Sequence, residues 1–332
     1  MLGIADASEG NGVSAAPPVT LAVVSWNTRD LLARCLDSVA SEVARGRIET
    51  WVVDNASSDG SAELVRDGYP GARLLALSEN RGFGSAVNLV AEQTTSPWLA
   101  IANADVALRP GALDSLLAAG AADPRAGAVA PRLVQPDGTT QHSVFGFPTL
   151  PYTALLALGL YRLSTDLADR LAVPGHWDAG RSRRVPWAVA AFLLVRREAW
   201  RQAGGFDPQQ FMYAEDLDLG WRLRRAGWVT RYEPRAVVDH HGAAATSQAW
   251  GEDPAPRFWR STYGWMERRR GLARTWAAAG LNAGGAAGRW PVAAALARRR
   301  PDPWAGRRDG LRKAVLVHAS GLVSRSALAR YR

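Results

Sequence analysis

Three carboxylates at the start of a predicted helix are the residues of this chain best placed to do chemistry. Glu215, Asp216 and Asp218 follow an apolar run at 211–213, and Gly227 would end the helix that they open. The helix dipole favours acidic residues in a first turn, which accounts for one or two of them. An apolar segment directly before adjacent carboxylates can instead desolvate one of them and fix its direction, as a general base requires. The stretch alone leaves both interpretations open.

The composition indicates a globular protein with a substantial core. Of the 332 residues 47% are hydrophobic, and the only cysteine, Cys35, excludes an intrachain disulfide and occupies an apolar position of a predicted helix. The net charge of +9 comes almost entirely from arginine, since Lys313 is the only lysine, and it is concentrated from Arg257 onward. This charge raises the alternative of a nucleic-acid-binding protein, but no recognised motif supports it and we expect no nucleic acid partner.

Neither a signal peptide nor a membrane span is predicted. Residues 1–18 lack the basic start and apolar core of a signal peptide and indicate a disordered leader. No stretch approaches the roughly 18–20 uninterrupted apolar residues that cross a bilayer, so we expect a cytoplasmic protein. The basic, tryptophan-bearing region 251–332 is predicted to be helical. It would suit an anionic membrane surface, such as the inner face of the plasma membrane, although a solvated helical tail would have the same composition.

Apolar strands without alternation, followed by helices, predict an α/β fold with a mostly parallel central sheet covered on both faces. A proline-rich segment at 132–184 interrupts the pattern and is predicted to be an irregular insertion with an apolar helix near 153–163. The first helix is expected to be capped by Thr28 or Asn27, and Pro110 is expected in the first position of the fourth. The segments that we predict as strands are 19–25, 50–53, 73–77, 98–102, 127–130, 185–195, 228–232 and 236–238.

Polar side chains follow the ends of the first four predicted strands. In open α/β sheets, ligands bind in the crevice beyond these carboxyl ends. Any one of the polar groups alone would be explained as a turn or a helix cap, but four that converge predict a binding crevice. The residues are Trp26, Asn27, Asp54, Asn55, Asn80, Arg81, Asn103 and Asp105.

Two further clusters have ligand-binding chemistry. Asn103 and Asp105, two apart on an extended segment, would present oxygen ligands to Mg²⁺ or Mn²⁺, although Asp105 would equally suit helix capping. His240 and His241 follow a strand, and because adjacent side chains face opposite ways, only one of them is expected to face the site. The spacing is not that of a zinc site.

Two glycines, Gly82 and Gly84, follow Asn80 and would let the backbone approach a ligand, or they mark an ordinary turn before a helix. The run matches neither a P-loop nor a complete dinucleotide fingerprint, which argues against kinase, ATPase and dehydrogenase functions.

In order and spacing, the motifs over residues 20–245 resemble those of the family 2 glycosyltransferases with a GT-A fold, and most closely the rhamnosyltransferase branch of that family. The runs that carry the resemblance are Val24-Ser25-Trp26-Asn27, Val53-Asp54-Asn55, Asp59-Gly60-Ser61, Asn80-x-Gly82-Phe83-Gly84, Asn103-x-Asp105, Gly204-Gly205-Phe206-Asp207, Phe211-Met212-Tyr213-x-Glu215-Asp216-x-Asp218 and His240-His241.

The resemblance implies a role for each matching residue. Asp216, with Glu215 adjacent, would be the catalytic base. Asp105 would bind Mg²⁺ or Mn²⁺, with His240, or alternatively His241, near the metal or the diphosphate. Asn103 stands where the family has the first acid of its Asp-x-Asp motif. The nucleotide and its sugar would be held by Trp26, Asn27, Asp54, Asn55, Asn80, Gly82, Gly84 and Asn103.

The same resemblance implies inverting transfer of a sugar, L-rhamnose from dTDP-rhamnose in the first instance, to a glycan or polyprenyl-diphosphate-linked acceptor in cell-wall or polysaccharide biosynthesis. UDP-galactofuranose, UDP-glucose and GDP-sugars are alternative donors, and a sugar-nucleotide nucleotidyltransferase is an alternative activity. Ala190-Ala191 and Ala243 to Ala245 stand where relatives carry glycine or serine, which affects the expected acceptor. The expected organisation is a GT-A domain at 19–250, with a nucleotide-sugar half at 19–131 and an acceptor half at 132–250, followed by the region 251–332.

Overall fold

The structure, a computed structural model, describes residues 18–242 and 255–322. The predicted leader therefore lies outside the described residues except for Pro18, as do the alanines at 243–245. The first half of the chain alternates strands and helices. In chain order these are β1 (Val19–Ser25), α1 (Arg29–Ala44), β2 (Ile48–Asp54), α2 (Ser61–Gly68), β3 (Ala72–Ala76), α3 (Phe83–Gln93), β4 (Trp98–Asn103), β5 (Val106–Leu108), α4 (Ala112–Ala122) and β6 (Ala126–Val134).

The second half begins with short, irregular elements and ends in helices. The elements are β7 (Val144–Phe145), α5 (Leu150–Ala157), a 3₁₀ turn (Leu160–Leu163), α6 (Thr165–Arg170), β8 (Arg183–Val185), β9 (Trp187–Ala188), β10 (Phe192–Arg196), α7 (Arg197–Ala203), α8 (Glu215–Arg225) and β11 (Val229–His240). After the undescribed residues 243–254 come α9 (Ala255–Arg270), α10 (Leu272–Arg299), α11 (Pro301–Ala319) and a 3₁₀ turn (Ser320–Leu322).

The central sheet has the strand order β3-β2-β1-β4-β10-β6-β11-β5, with β8 paired to β11. Strands β3, β2, β1 and β4 are parallel, as are β6 and β11, whereas β10 runs antiparallel to both of its neighbours. The predicted α/β fold with a mostly parallel sheet is confirmed. In register, Ser25 lies opposite Asp54 and Val24 opposite Asn103, so the polar ends of β1, β2 and β4 meet at one edge.

Helices cover both faces of the sheet. On one face α1 and α4 bury a cluster that includes Leu32, Leu116 and Cys35. Burial raises the pKa of the Cys35 thiol to about 12, so this cysteine has a packing role, as predicted. On the other face α3, α7 and α8 bury Val90, Trp200 and their neighbours.

The last helices form a third apolar layer against α8. Trp265 and Tyr263 of α9 are fully buried, in one cluster with Leu217 of α8. The alternative of a solvated tail is therefore wrong for α9. Among the described residues no helix is both long and apolar enough to cross a bilayer.

Several local predictions were wrong. Helix α4 begins at Ala112 and not at Pro110, because Pro110 lies in a turn in which Gly111 has the non-helical φ of +79°. The predicted strand 185–195 is broken into β8, β9 and β10: Pro186, which has no N–H to donate, separates β8 from β9, and a turn at 190–191 separates β9 from β10. The two predicted strands 228–232 and 236–238 are one, β11.

The N-terminus of α1 is capped by a distant residue. Thr28 occupies the cap position, but its hydroxyl bonds the hydroxyl of Ser25 and not a helix N–H. The backbone N–H of Arg29 donates instead to the Asp59 carboxylate at 2.9 Å. Thr28 thus holds the predicted cap position without a capping hydrogen bond from its side chain, and the loop after β2 is fastened to the helix after β1 through Asp59.

Candidate active site

A cavity of about 610 Å³ opens at the polar edge of the sheet. Of the residues predicted for the site, it brings together those at the ends of β1, β2 and β4, the start of α8 and the end of β11. These are Trp26, Asn55, Asn80, Asn103, Asp105, Glu215, Asp216 and His240. Five predicted residues do not line its wall: Asn27, Asp54, Gly82, Gly84 and His241.

Asn27 and Asp54 lie behind the wall and organise the loop that follows β2. The Asn27 side-chain oxygen accepts from the backbone N–H of Ser58 at 2.8 Å, and one Asp54 oxygen accepts from that of Ser57 at 3.0 Å. The second Asp54 oxygen, Oδ1, is buried and makes no hydrogen bond with the described part of the chain. Such an atom is ready to accept from a ligand.

The two glycines of the loop before α3 have structural reasons. Gly82 has φ +78°, and a Cβ there would lie 2.4 Å from the carbonyl oxygen of Phe211. A Cβ on Gly84 would lie 2.9 Å from the side chain of Phe206. Both glycines thus allow the loop to approach the segment before α8. The loop is also tied to β2, because the Asn55 side-chain oxygen accepts from the N–H of Arg81 at 3.3 Å.

Asp105 and His240 form a pair on the cavity wall. Their side chains are nearly buried, and Asp105 Oδ1 lies 3.3 Å from His240 Nε2. Neither atom makes a hydrogen bond with the described residues. His240 Nδ1 bonds the side-chain oxygen of Gln141, and because that oxygen can only accept, Nδ1 donates in this bond and Nε2 is the nitrogen that faces Asp105. His241 is exposed, so the structure selects His240 of the two predicted histidines.

This pair fits a divalent cation. Two ligands at about 2.1 Å and a right angle around Mg²⁺ lie about 3 Å apart, close to the observed separation. The described residues hold no cluster of three or more His, Cys, Asp or Glu side chains that would complete a metal site. Oxygen atoms of a bound ligand and of water would therefore have to supply the other positions, as is usual for Mg²⁺.

Asp216 and Glu215 open α8 at the other side of the cavity. The Asp216 carboxylate accepts from the backbone N–H groups of Leu217 at 2.8 Å and Ala190 at 3.4 Å. Burial raises the pKa of Asp216, and these two hydrogen bonds oppose the rise. Burial and the charge of Asp216 raise the pKa of Glu215, whose Oε2 has no partner in the described structure. The pair thus places a directed carboxylate of raised basicity beside a carboxyl group that holds its proton.

Asp218, the third acid of the motif, faces away from the cavity. It is 1% exposed and accepts from Trp265 Nε1 at 2.8 Å, Arg269 Nε at 2.8 Å and Arg222 Nε at 2.7 Å. Burial alone would raise the pKa of Asp218, but the hydrogen bonds and charges of Arg269 and Arg222 lower it. Its role is to fasten α9 to α8.

Several wall residues carried no signal in the sequence. Gln141 and His142 lie in the insertion that was predicted only as irregular, yet both line the cavity. Burial lowers the pKa of His142 to about 4, so its ring is neutral. Phe258 comes from α9 and completes the wall from far along the chain. Only the folded chain brings these residues to the site.

A sequence profile described as "Glycosyltransferase like family 2" matches residues 17–253. The chain belongs to this family. It is 36% identical over 247 residues to an N-acetylglucosaminyl-diphospho-decaprenol L-rhamnosyltransferase of Mycobacterium tuberculosis, an alignment that covers 70% of this chain and 77% of the relative. A pre-mycofactocin glycosyltransferase of the same organism is 35% identical over 229 residues, which cover 67% of this chain and 42% of that protein.

A solved structure shares the fold. A mannosyltransferase from Pyrobaculum calidifontis, in complex with GDP-Man and Mn²⁺, superposes with a TM-score of 0.59 at 20% identity and covers 92% of this chain and 87% of that one. The predicted GT-A fold with a helical C-terminal region is thus confirmed. The proteins that the chain is similar to include a rhamnosyltransferase, as the motifs predicted.

Proposed function

We propose that this glycosyltransferase moves L-rhamnose from dTDP-rhamnose, with inversion, to a hydroxyl of a lipid-linked glycan in cell-wall biosynthesis. The observation that carries the proposal is the placement of Asp216 and the Asp105–His240 pair on one cavity. Asp216 is placed to accept a proton, and the Asp105–His240 pair is placed to bind a cation that faces a diphosphate. This donor and acceptor are supported by the 36% sequence identity to an enzyme that is named an N-acetylglucosaminyl-diphospho-decaprenol L-rhamnosyltransferase.

In the proposed reaction, the acceptor hydroxyl loses its proton to Asp216 as its oxygen forms a bond to the anomeric carbon. The bond from that carbon to the diphosphate oxygen breaks on the opposite face, and the electron pair leaves with the nucleoside diphosphate. Asp105 and His240 would hold Mg²⁺ or Mn²⁺, which supplies positive charge to the leaving diphosphate. No covalent intermediate with the protein is required.

The donor would lie along the ends of β1 and β2. We propose that Trp26, Asn55 and Asn80 contact the nucleotide from the cavity wall and that Asn103 faces its sugar. Asp54 would bind the base or the ribose through its unpartnered oxygen after a small movement of the loop that Asn27 holds. Gly82 and Gly84 would contribute by allowing this loop to pack closely.

The proposed organisation assigns donor binding to residues 19–131 and acceptor binding to 132–250, with 251–332 at a membrane surface. The last point is supported by exposed apolar side chains of that region, where Val292 of α10 is 60% and Leu316 of α11 is 67% exposed. The exposed arginines of α10 and α11 would attract the anionic inner face of the plasma membrane.

Sugar transfer from a panel of dTDP-, UDP- and GDP-sugars, with and without Mg²⁺ or Mn²⁺, tests the proposal. We expect transfer from dTDP-rhamnose that stops in EDTA, loss of metal-dependent donor binding in Asp105→Ala, and retained donor binding without turnover in Asp216→Asn. Asp239→Asn is the matched control, since this carboxylate neighbours His240 but pairs with Arg109 outside the cavity. Transfer from a UDP- or GDP-sugar alone would refute the rhamnose donor, and full activity in EDTA would refute the metal.

A further inference from the structure

A second, smaller cavity lies next to the catalytic one, between the segment before α8 and helix α9. Its volume is about 130 Å³, and α9 contributes three arginines from one face: Arg257, Arg260 and Arg268. No acidic residue lies among the described residues that line it. Gly264 lies on the same helical face and leaves the floor between the arginines open. This cavity, the arginine pocket, is therefore shaped and charged for an anion.

Two of the described carboxylates near the pocket, those of Asp207 and Asp218, are engaged by other arginines. Asp207 pairs with Arg269 at 3.0 Å, and Asp218 is held by Arg269 and Arg222. Arg268 makes no hydrogen bond or ion pair with the described part of the chain, and it is exposed to solvent. A guanidinium group offers paired N–H donors that match phosphate oxygens, so a phosphate or diphosphate is the ligand that this set of side chains recognises.

The position of the pocket relates it to the reaction. Met212 and Tyr213 line both cavities, and they lie directly before Ala214 and the catalytic acids. Ser261 of α9 donates to the carbonyl of Met212 at 3.0 Å, which fixes this shared wall. An anion in the arginine pocket is thus separated from the Asp216 side of the cavity by two residues. In an acceptor whose sugar is attached to a diphosphate, one sugar ring separates the reacting hydroxyl from the charged diphosphate. Such an acceptor could therefore reach both cavities at once.

We propose that the arginine pocket binds the diphosphate of the acceptor and so places the acceptor sugar at Asp216. The inference rests on the proposed function, because only an acceptor of that type carries the anion. The donor diphosphate is assigned elsewhere, to Asp105 and His240. The pocket gives the C-terminal region a role in acceptor selection in addition to its packing.

The experiment compares the full-length protein with Arg268→Gln, with the double variant Arg257→Gln/Arg260→Gln, and with Arg298→Gln/Arg299→Gln as a control at the exposed end of α10. Initial rates at saturating dTDP-rhamnose are measured with N-acetylglucosaminyl diphosphate on a short isoprenoid, and with an alkyl N-acetylglucosaminide that has no phosphate. We expect the pocket variants to raise KM for the diphosphate acceptor about tenfold, the loss of roughly one charge-assisted hydrogen bond. The donor KM and the rate on the uncharged acceptor should stay within about twofold of the wild-type values.

Binding of inorganic pyrophosphate to the free protein in EDTA, measured by calorimetry, separates the pocket from catalysis. We expect Kd to rise about tenfold in the pocket variants and to stay unchanged in the control. Unchanged pyrophosphate binding, or equal KM increases for both acceptors, would overturn the proposal. So would loss of binding to phosphatidylglycerol vesicles with no change in acceptor KM, which would assign the pocket to a lipid headgroup. If no donor supports transfer, the proposed function fails, while pyrophosphate binding still decides whether the pocket binds diphosphate.

Discussion

Gln141 offers a sharp test of the proposed metal site, because it contacts His240 and has no direct role in the proposed reaction. Its side-chain oxygen accepts from His240 Nδ1, which holds Nε2 of the ring toward Asp105. Gln141→Leu removes this acceptor at nearly constant size. Loss of a partner that orients a metal-ligating histidine typically weakens metal binding 10–100-fold, which corresponds to about 1.4–2.7 kcal/mol.

The assay is a calorimetric titration of Mn²⁺ into the protein in the presence of dTDP. We expect Kd for Mn²⁺ to rise about 10–100-fold in Gln141→Leu and by less in Gln141→Glu, which keeps an acceptor oxygen. Gln135→Leu is the matched control, since this glutamine precedes the same segment but bonds Thr139. The ¹⁵N shifts of the His240 ring provide a second readout, and they should report a single tautomer in the wild type and a mixture in Gln141→Leu. An unchanged Kd together with an unchanged tautomer would refute the reasoning.

Three further predictions concern the elements around the site. Asp218→Ala removes the carboxylate that holds Trp265 and Arg269, and thermal unfolding should show that the free energy of unfolding falls by about 3 kcal/mol. A decrease below about 1 kcal/mol would contradict this role of Asp218. Folding raises the pKa of Glu215, so the free energy of unfolding should fall as pH rises above the unfolded value of about 4.3. Glu215→Gln should reduce this dependence of the unfolding free energy on pH, measured by urea titrations at several pH values. An unchanged dependence would contradict the raised pKa of Glu215. Gly82→Ala should lower the free energy of unfolding by about 1–3 kcal/mol and weaken dTDP binding, because the added Cβ would contact Phe211 at a residue with positive φ. Gly138→Ala, which has a similar φ in an open turn, is the control and should leave dTDP binding unchanged.

The first four strands and their polar ends were predictable because a parallel sheet buried on both faces produces continuous apolar runs. The ends of those runs then had to meet at one edge, and Trp26, Asn55 and Asn103 do line one cavity. The chain from 185 to 195 was read wrongly for a related reason. Its apolar run continues to Val195, but Pro186 breaks the ladder and the turn at Ala190 directs an N–H to Asp216.

The position of β10 could not be read from a local pattern. It lies between β4 and β6 and runs against both, so its neighbours are strands that are distant in sequence. The same holds for Asp218, whose partners Trp265 and Arg269 are 47 and 51 residues away. In the sequence Asp218 resembled a third candidate acid, and only the long-range contacts show that it is structural.

The backbone before α8 connects these observations. Tyr213 and Ala214 both have positive φ, +59° and +64°, which costs of order 1–3 kcal/mol for each residue without a compensating contact. Gln210 donates to the carbonyl of Tyr213 at 3.0 Å, and Ser261 of α9 donates to that of Met212. The turn that aims Glu215 and Asp216 into the cavity is therefore stabilised in part by a helix beyond the predicted catalytic domain. Because Asp218 binds the same helix on the far side of α8, the three acids of the motif divide into two that face the cavity and one that secures the helix supporting them.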